Sequence, residues 1–369
     1  MNRSALLFYR AQLVPGGPAE TYVRHRLGAL PRGWSLGYAP REGRGVVAYL
    51  GRRGFTPADV VAAGLARRTR GGRHVDRFRG RIMFPVRDVA GEPVGFLARA
   101  CPPHASRGPK YINTPATAAY TKSELLYGLA EQRRILAGGA RPVIVEGPLD
   151  VLAVGLADEG RGELAGVAAC GTAFTAAHLA ALSAAAHLDE GMVTALDADA
   201  AGRRATARVW RLLRPHRGWT AAARAAALPP GGDPAAVLRG GGVQALRRAL
   251  LDQSRPLLDA VVDAVLDDAG YGDVASVDLE TRFALLRRVA PVVVATGLAE
   301  DMVRLVVHLA GRLDLMHSTV TGAVCDALTS PPGTHEQATR AGYPQPSRPS
   351  TGDARNVVSE AKEPVQWLT

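Results

Sequence analysis

Two short apolar runs in this chain each end in carboxylates, and that pairing narrows the fold more than any other feature. Pro142-Val143-Ile144-Val145 leads into Glu146-Gly147-Pro148-Leu149-Asp150, and Met192-Val193-Thr194-Ala195-Leu196 leads into Asp197-Ala198-Asp199-Ala200-Ala201-Gly202. Parallel strands buried on both faces read as unbroken apolar stretches, and polar groups at their carboxyl ends line the crevice where open α/β sheets bind ligands. Acids converging on such an edge repel one another unless a cation neutralises them. Hard oxygen ligands suit Mg2+ or Mn2+, which in turn suit phosphates. The pattern points to a metal-dependent enzyme acting on phosphate esters.

The same acids have structural uses. Asp197 and Asp199, two apart, lie on one face of a strand, and at the strand exit both reach one ion. Asp199 also fits as the N-cap of a helix beginning near Ala200, and one oxygen can cap while the other binds metal. Glu146 follows a buried apolar run directly, a costly place for a carboxylate without a partner. Asp150 falls in the first turn of the next helix, where the helix dipole alone favours an acid, so for Asp150 the structural and functional readings stand level.

At 369 residues the chain exceeds one average domain, and two or three units are expected. Residues 141–228 alternate strands (142–146, 165–170, 192–197, about 220–228) with helices (roughly 149–158, 175–187, 201–213), which predicts right-handed parallel βαβ units. Upstream, Pro18-Ala19-Glu20 opens a helix to Leu27, Thr56-Pro57 reads as an N-cap with Pro at N1, and 81–86 with 94–98 reads as a hairpin turning at 88–92. Helical patterns follow at Ala235–Leu251, Ser254–Leu266, Leu279–Val294 and in two further helices to Leu328. The expected fold class is α/β: a parallel sheet flanked by helices over 141–233, preceded by a basic α+β subdomain over 1–140 and followed by a helical subdomain over 234–329. After Ser330 periodicity ends in Pro, Ser, Thr and Gly, which predicts a disordered tail over 330–369.

Charge is segregated. The net +11 divides into 23 Lys+Arg against 8 Asp+Glu over residues 1–140, a net +15, and 22 against 26 beyond, a net −4. A basic front half joined to an acidic, metal-suited module fits a polyanion held by one part and processed by the other. Cys101, Cys170 and Cys325 are isolated, with neither zinc-ligand spacing nor a disulfide framework, so no zinc is expected. The first 30 residues have no apolar signal core. The Ala-rich run 164–188 is broken by Gly171-Thr172, His178 and Ser183, so no membrane association and a cytoplasmic location are expected.

In order and spacing, Val145 to Asp150, Cys170-Gly171-Thr172-Ala173-Phe174-Thr175 and Leu196 to Gly202 resemble the TOPRIM module. Arg77-Phe78-Arg79-Gly80-Arg81-Ile82-Met83-Phe84-Pro85, Gly95-Phe96-Leu97-Ala98-Arg99, Pro109-Lys110-Tyr111-Ile112-Asn113 and Thr121-Lys122-Ser123-Glu124-Leu125-Leu126-Tyr127-Gly128-Leu129 resemble the basic half of a DnaG-type primase catalytic core. The resemblance implies that Glu146, Asp197 and Asp199 are catalytic and hold metal, with Asp150 and Asp233 assisting. It implies that Arg79, Arg81, Arg99, Lys110 and Lys122 contact template or incoming nucleotide. Lys110 and Lys122 are two of only three lysines, beside 42 arginines; retention of a compact, flexible ammonium fits a place beside phosphates.

The implied function is template-directed synthesis of short RNA primers on single-stranded DNA from ribonucleoside triphosphates, using Mg2+ or Mn2+, with a replicative helicase or a separate zinc-ribbon protein as partner. A zinc ribbon before the core and a helicase-binding domain after it are not expected here, and the family's Asp-Pro-Asp is Asp233-Pro234-Ala235. Two other readings remain. One is a primase-derived accessory protein of a mobile element that binds DNA or the replisome with little primer synthesis. The other is a TOPRIM nuclease, which has no need of a nucleotide-gripping lysine pair.

Overall fold

A computed structural model of the chain describes residues 1–101, 108–267 and 277–329; the tail expected over 330–369 lies outside them. The chain divides into two compact units, Met1–Ala264 and the residues from Val265 on. The boundaries drawn from sequence near 140 and 233 both fall within the first unit.

The front of that unit runs α1 (Asn2–Ala11), α2 (Pro18–Leu27), β1 (Gly37–Ala39), α3 (Gly45–Gly51), α4 (Pro57–Ala62), β2 (Ala66–Arg68), β3 (His74–Asp76), β4 (Arg81–Arg87), β5 (Pro93–Ala100) and β6 (Tyr111–Asn113). The predicted hairpin is β4–β5, antiparallel from Arg81 opposite Ala100 to Arg87 opposite Pro93. Its turn is held by Asp88, whose Oδ1 accepts from the Ala90 and Glu92 amides. With β1 and β6 it forms an antiparallel sheet ordered β1-β4-β5-β6, and β2 pairs with β3 alone. The Thr56 cap is present as a reciprocal pair with Asp59, with Pro57 in the first turn of α4. Tyr9, Phe78, Phe96, Val46 and Leu50 fill the core beneath the sheet.

Next come β7 (Leu126–Tyr127), α5 (Leu129–Ala137), β8 (Arg141–Val145), α6 (Pro148–Asp158), β9 (Leu164–Ala169), α7 (Ala176–Ser183), β10 (Met192–Ala195), α8 (Ala200–Leu213), α9 (Arg217–Ala222), β11 (Ala223–Ala225), α10 (Pro234–Leu250), β12 (Arg255–Pro256) and α11 (Leu257–Asp267). They build a six-stranded sheet ordered β12-β11-β10-β8-β9-β7. The four strands β8 to β11 are mutually parallel, as the alternation predicted. Two corrections concern the ends. Residues 217–222 are helical, so the fourth parallel strand is three residues long; the Ala-rich 221–228 run lacks the β-branched side chains that favour a strand. The sheet also gains antiparallel edges in β7 and β12, each two residues and too short for any alternation to show.

This order creates the functional crevice. The crossover through α6 places β9 on one side of β8, and the crossover through α7 returns to place β10 on the other. The switch point therefore opens between the carboxyl ends of β8 and β10, where Glu146 and Asp197 leave the sheet. Beyond it, α8 starts so close to the strand exit that a Cβ on Gly202 would overlap the Asp197 carbonyl oxygen.

In the second unit α12 (Leu279–Val294), α13 (Ala299–Leu313) and α14 (His317–Thr329) pack together through Leu285, Val289, Val293, Leu305, Leu309, Leu313 and Val320, as the helical pattern predicted. Among the described residues no helix is long and apolar enough to cross a membrane.

The contact at Gly202 makes a stability prediction. Gly202→Ala should cost about 3 kcal/mol, since backbone rather than a flexible side chain must give way. Gly240→Ala, in open space on α10, should be neutral or stabilising by up to about 1 kcal/mol. Chemical denaturation of both variants checks the pair; equal midpoints would mean that the start of α8 relaxes freely.

Candidate active site at the carboxyl edge of the six-stranded sheet

Five acids meet here, each delivered by the end of an element. Glu146 leaves β8, and its Oε1 accepts from the Asp197 amide at 3.2 Å, joining the exits of β8 and β10. Asp199 is the N-cap of α8, with Oδ1 accepting from Gly202 N at 2.8 Å. Asp233 caps α10 through the Ala236 amide, and its Oδ2 pairs with Arg26 Nη2 of α2 at 2.7 Å. Asp150, in the first turn of α6, is 7% exposed and accepts from the Ala235 amide at 3.3 Å. The capping and dipole roles foreseen for Asp199 and Asp150 are therefore real and coexist with their gathering at one site.

The acids feel one another. Burial first, then Asp197 and Asp199, hold Glu146 above its ordinary pKa. Burial, then Asp233 and Asp199, raise Asp197. Burial, then Asp233 and Asp197, push Asp150 up to about 7. Two cations oppose this: Lys110 acts on Glu146 and Asp197, and Arg26 acts on Asp197 and Asp150. Among the described residues no three His, Cys, Asp or Glu side chains stand close enough to enclose an ion as they are; Glu146, Asp150, Asp199 and Asp233 are each turned onto a backbone amide. The donor set nevertheless suits a hard cation. It is all carboxylate oxygen, and Asp197 Oδ1 is buried without a hydrogen-bond partner.

The basic residues fall into three groups. Lys110 is exposed and within electrostatic reach of the acids. Arg81 and Arg99 are each 7% exposed and bound to the chain itself. Arg81 donates to the carbonyls of Ala98, Pro109 and Lys110, and Arg99 donates to the hydroxyls of Tyr22 and Tyr111. Arg79 and Lys122 are exposed. The Lys122 carbonyl accepts from His178 Nε2 at 3.1 Å, and the antiparallel register of β7 with β9 sets this segment at the same sheet edge as the acids. Asn113, at the end of β6, donates to the Cys170 carbonyl at 2.8 Å, so the front sheet is fastened to that edge. The neighbouring Gly171 has φ 68°, and a Cβ there would overlap the Asn113 amide.

Sequence reasoning missed Arg26. Among Arg24, His25 and Arg26 in the last turn of α2 it reads as ordinary helix-dipole compensation, and nothing local sets it apart.

Two family profiles match the chain: the DNA primase catalytic core, N-terminal domain, over residues 8–133, and Toprim-like over residues 143–238. The DNA primase of Streptomyces coelicolor is 33% identical over 326 residues, which cover 85% of this chain and 48% of that protein. The crystal structure of the RNA polymerase domain of Mycobacterium tuberculosis primase DnaG matches with a TM-score of 0.70 at 32% identity, covering 84% of this chain and 96% of that one. The chain belongs to the DnaG-type primase family. The same mycobacterial domain in complex with a double-stranded DNA oligomer with a 6-nucleotide overhang matches with a TM-score of 0.69 at 32% identity, covering 85% and 96%. The fold is thus that of a DnaG catalytic core carrying a TOPRIM sheet, and such a core implies use of a divalent metal. The chain spans about half the length of the curated relatives it matches.

Asp150 makes the site's acid balance measurable. Unfolded, its carboxyl ionises near 3.8; folded, it keeps its proton to about 7. Between these values the native state binds more protons than the unfolded state, so stability falls as pH rises through the window and levels off above it. Denaturation in chelator from about pH 5 to about pH 8 should show this loss in the wild type and much less in Asp150→Asn. A wild type whose stability rises over that range would show that the acids are not crowded.

Proposed function

We propose that this chain is a primase core that joins ribonucleotides into short RNA primers along a single-stranded DNA template. The observation that carries this is the acid cluster at the TOPRIM switch point, faced by Lys110 and backed by Arg26. A role in DNA binding alone leaves the gathering of five acids at one edge unexplained, since uncompensated carboxylates weaken the hold on a polyanion. The related mycobacterial domain solved with an overhang-bearing DNA supports DNA as template. The expected compartment is the cytoplasm.

Divalent cations, Mg2+ or Mn2+, held by Glu146, Asp197 and Asp199 with Asp150 and Asp233 behind them, would supply charge neutralisation for the triphosphate and for the attacking hydroxyl. The chain's own residues do the rest. Glu146, held above its ordinary pKa, would assist in taking the proton of the primer 3′-hydroxyl. Lys110 offers a point charge to the incoming triphosphate. Arg81 keeps the Lys110 backbone in place through the Pro109 and Lys110 carbonyls, and Arg99 fixes Tyr111 beside it. Arg79 and Lys122 are exposed for phosphates of template or nucleotide.

The test is incorporation of labelled ribonucleotides on single-stranded DNA with Mg2+ or Mn2+, by the chain alone and with an added zinc-ribbon protein. Asp197→Asn and Asp199→Asn should each lower incorporation by about 100-fold or more while the fold persists. Lys110→Ala should raise the apparent KM for nucleotide by about 10-fold and spare template binding. Full incorporation by both acid variants would remove the cluster from the mechanism. The side chain at position 235 is fully buried beside Asp150. Ala235→Asp should therefore lower the metal concentration needed for activity, while deepening the loss of stability above about pH 7 in chelator. An unchanged metal requirement would make that position dispensable.

A further inference from the structure

Within the acidic part of the chain lies a strongly basic stretch. Residues 200–232 carry seven arginines and His216 and neither Asp nor Glu, although residues 141–369 are net −4. Most of these arginines lie on α8 and the turn into α9. Val209, Trp210 and Leu213 bury one face of α8, and Asp199 fixes its N-terminus at the acid cluster, so the other face runs outward from the catalytic edge. Arg204 and Arg208, four apart, share that exposed face, and Arg214 and Arg217 continue it beyond the helix. Among the described residues none of these four has an acid partner, whereas Arg224 is spent on Ser254. At the far end His216 and Trp219 stack with ring centroids 4.1 Å apart and 24° between planes, His216 being exposed.

Four unpaired guanidinium groups along a path of about 15 Å from Arg204 to Arg214 and on to Arg217, ending in an aromatic platform, match an anion that is long, flexible and stackable. An anionic membrane offers no ring to stack. A duplex keeps its bases stacked within itself. We propose that α8 and the α8–α9 turn form a second track for single-stranded DNA, with backbone phosphates on Arg204, Arg208, Arg214 and Arg217 and a base against the His216–Trp219 pair. The track is separate from the basic front half and leads a strand away from the catalytic edge. It deepens the primase reading and rests on it for the identity of the strand.

The experiment is fluorescence-anisotropy binding of the full chain to a 20-nucleotide oligo-dT across a salt series. A variant with Arg204, Arg208, Arg214 and Arg217 all changed to Gln is compared with the wild type, and thermal melts confirm that both fold. The slope of log affinity against log salt should fall by about 2 to 3, at about 0.7 per lost single-strand phosphate contact. Trp219→Ala should weaken binding by about 5-fold or more with little change in slope, because stacking carries no counterions. A quadruple variant with the wild-type slope overturns the track, and so does a loss seen with duplex but not with oligo-dT. Ribonucleotide incorporation separates the two claims. A chain that incorporates while its quadruple variant keeps the wild-type slope overturns the α8 track alone. A chain that never incorporates overturns the primase reading, and the slope still decides whether α8 binds a single strand.

Discussion

Carboxylates that repel one another at the switch point of the six-stranded sheet are the constraint around which the first unit is organised. Glu146, Asp150, Asp197, Asp199 and Asp233 are brought together by the strand order, and burial raises the cost of charging three of them. In a half-buried setting such repulsion is far stronger than in water. The fold offsets it from outside the sheet module. Arg26 comes from α2 and Lys110 from the segment before β6, both in the basic front half. The two halves therefore cannot be independent: the site's charge balance needs residues from both, and Asn113 on the Cys170 carbonyl holds them together.

A second offset is built into the acids' own positions. Asp199 and Asp233 begin α8 and α10, and Asp150 lies in the first turn of α6, so each faces unsatisfied amides and the positive end of a helix dipole. The structural use of these residues is the means by which several negative charges are tolerated in one place before any cation arrives. Asp197 caps no helix, and it is Asp197 that keeps a buried oxygen without a partner.

What was legible in the sequence follows from the strength of each local signal. The parallel strands showed as apolar runs, β8 and β10 among them stopped by carboxylates, and the hairpin, the Thr56 cap and the C-terminal helices showed through periodicity and capping. β7 and β12 did not show, because two residues carry no period. The shortened β11 was misjudged where an Ala-rich run left helix and strand poorly distinguished. Charge was read less well than fold. Counting arginines located the basic half, but composition does not distinguish Arg81 and Arg99, buried on carbonyls and phenols, from exposed Arg79. Nor does it distinguish Arg26 from its neighbours, since only the tertiary packing of α2 near α10 brings it to Asp233.

The placement of charge also orders the events the site can support. A polyanion approaching the cation-free edge meets carboxylates on Glu146, Asp197 and Asp199, with Lys110 and Arg26 against them among the described residues, so close approach of phosphate there is opposed. In the primase reading, cations taken up by the acids would reverse the sign of that edge and favour phosphate there. By linkage, phosphate bound there would in turn strengthen the hold on the cations by the same factor. Basic surfaces remote from the acids are under no such condition. In the primase reading, the exposed residues of the front half and the outer face of α8 would hold nucleic acid whether or not the edge is charged with metal. In the primase reading, grip on the strand and competence at the switch point are thus electrostatically separable, with the strand held first by surfaces that flank the site and admitted to the acids only when cations accompany the triphosphate.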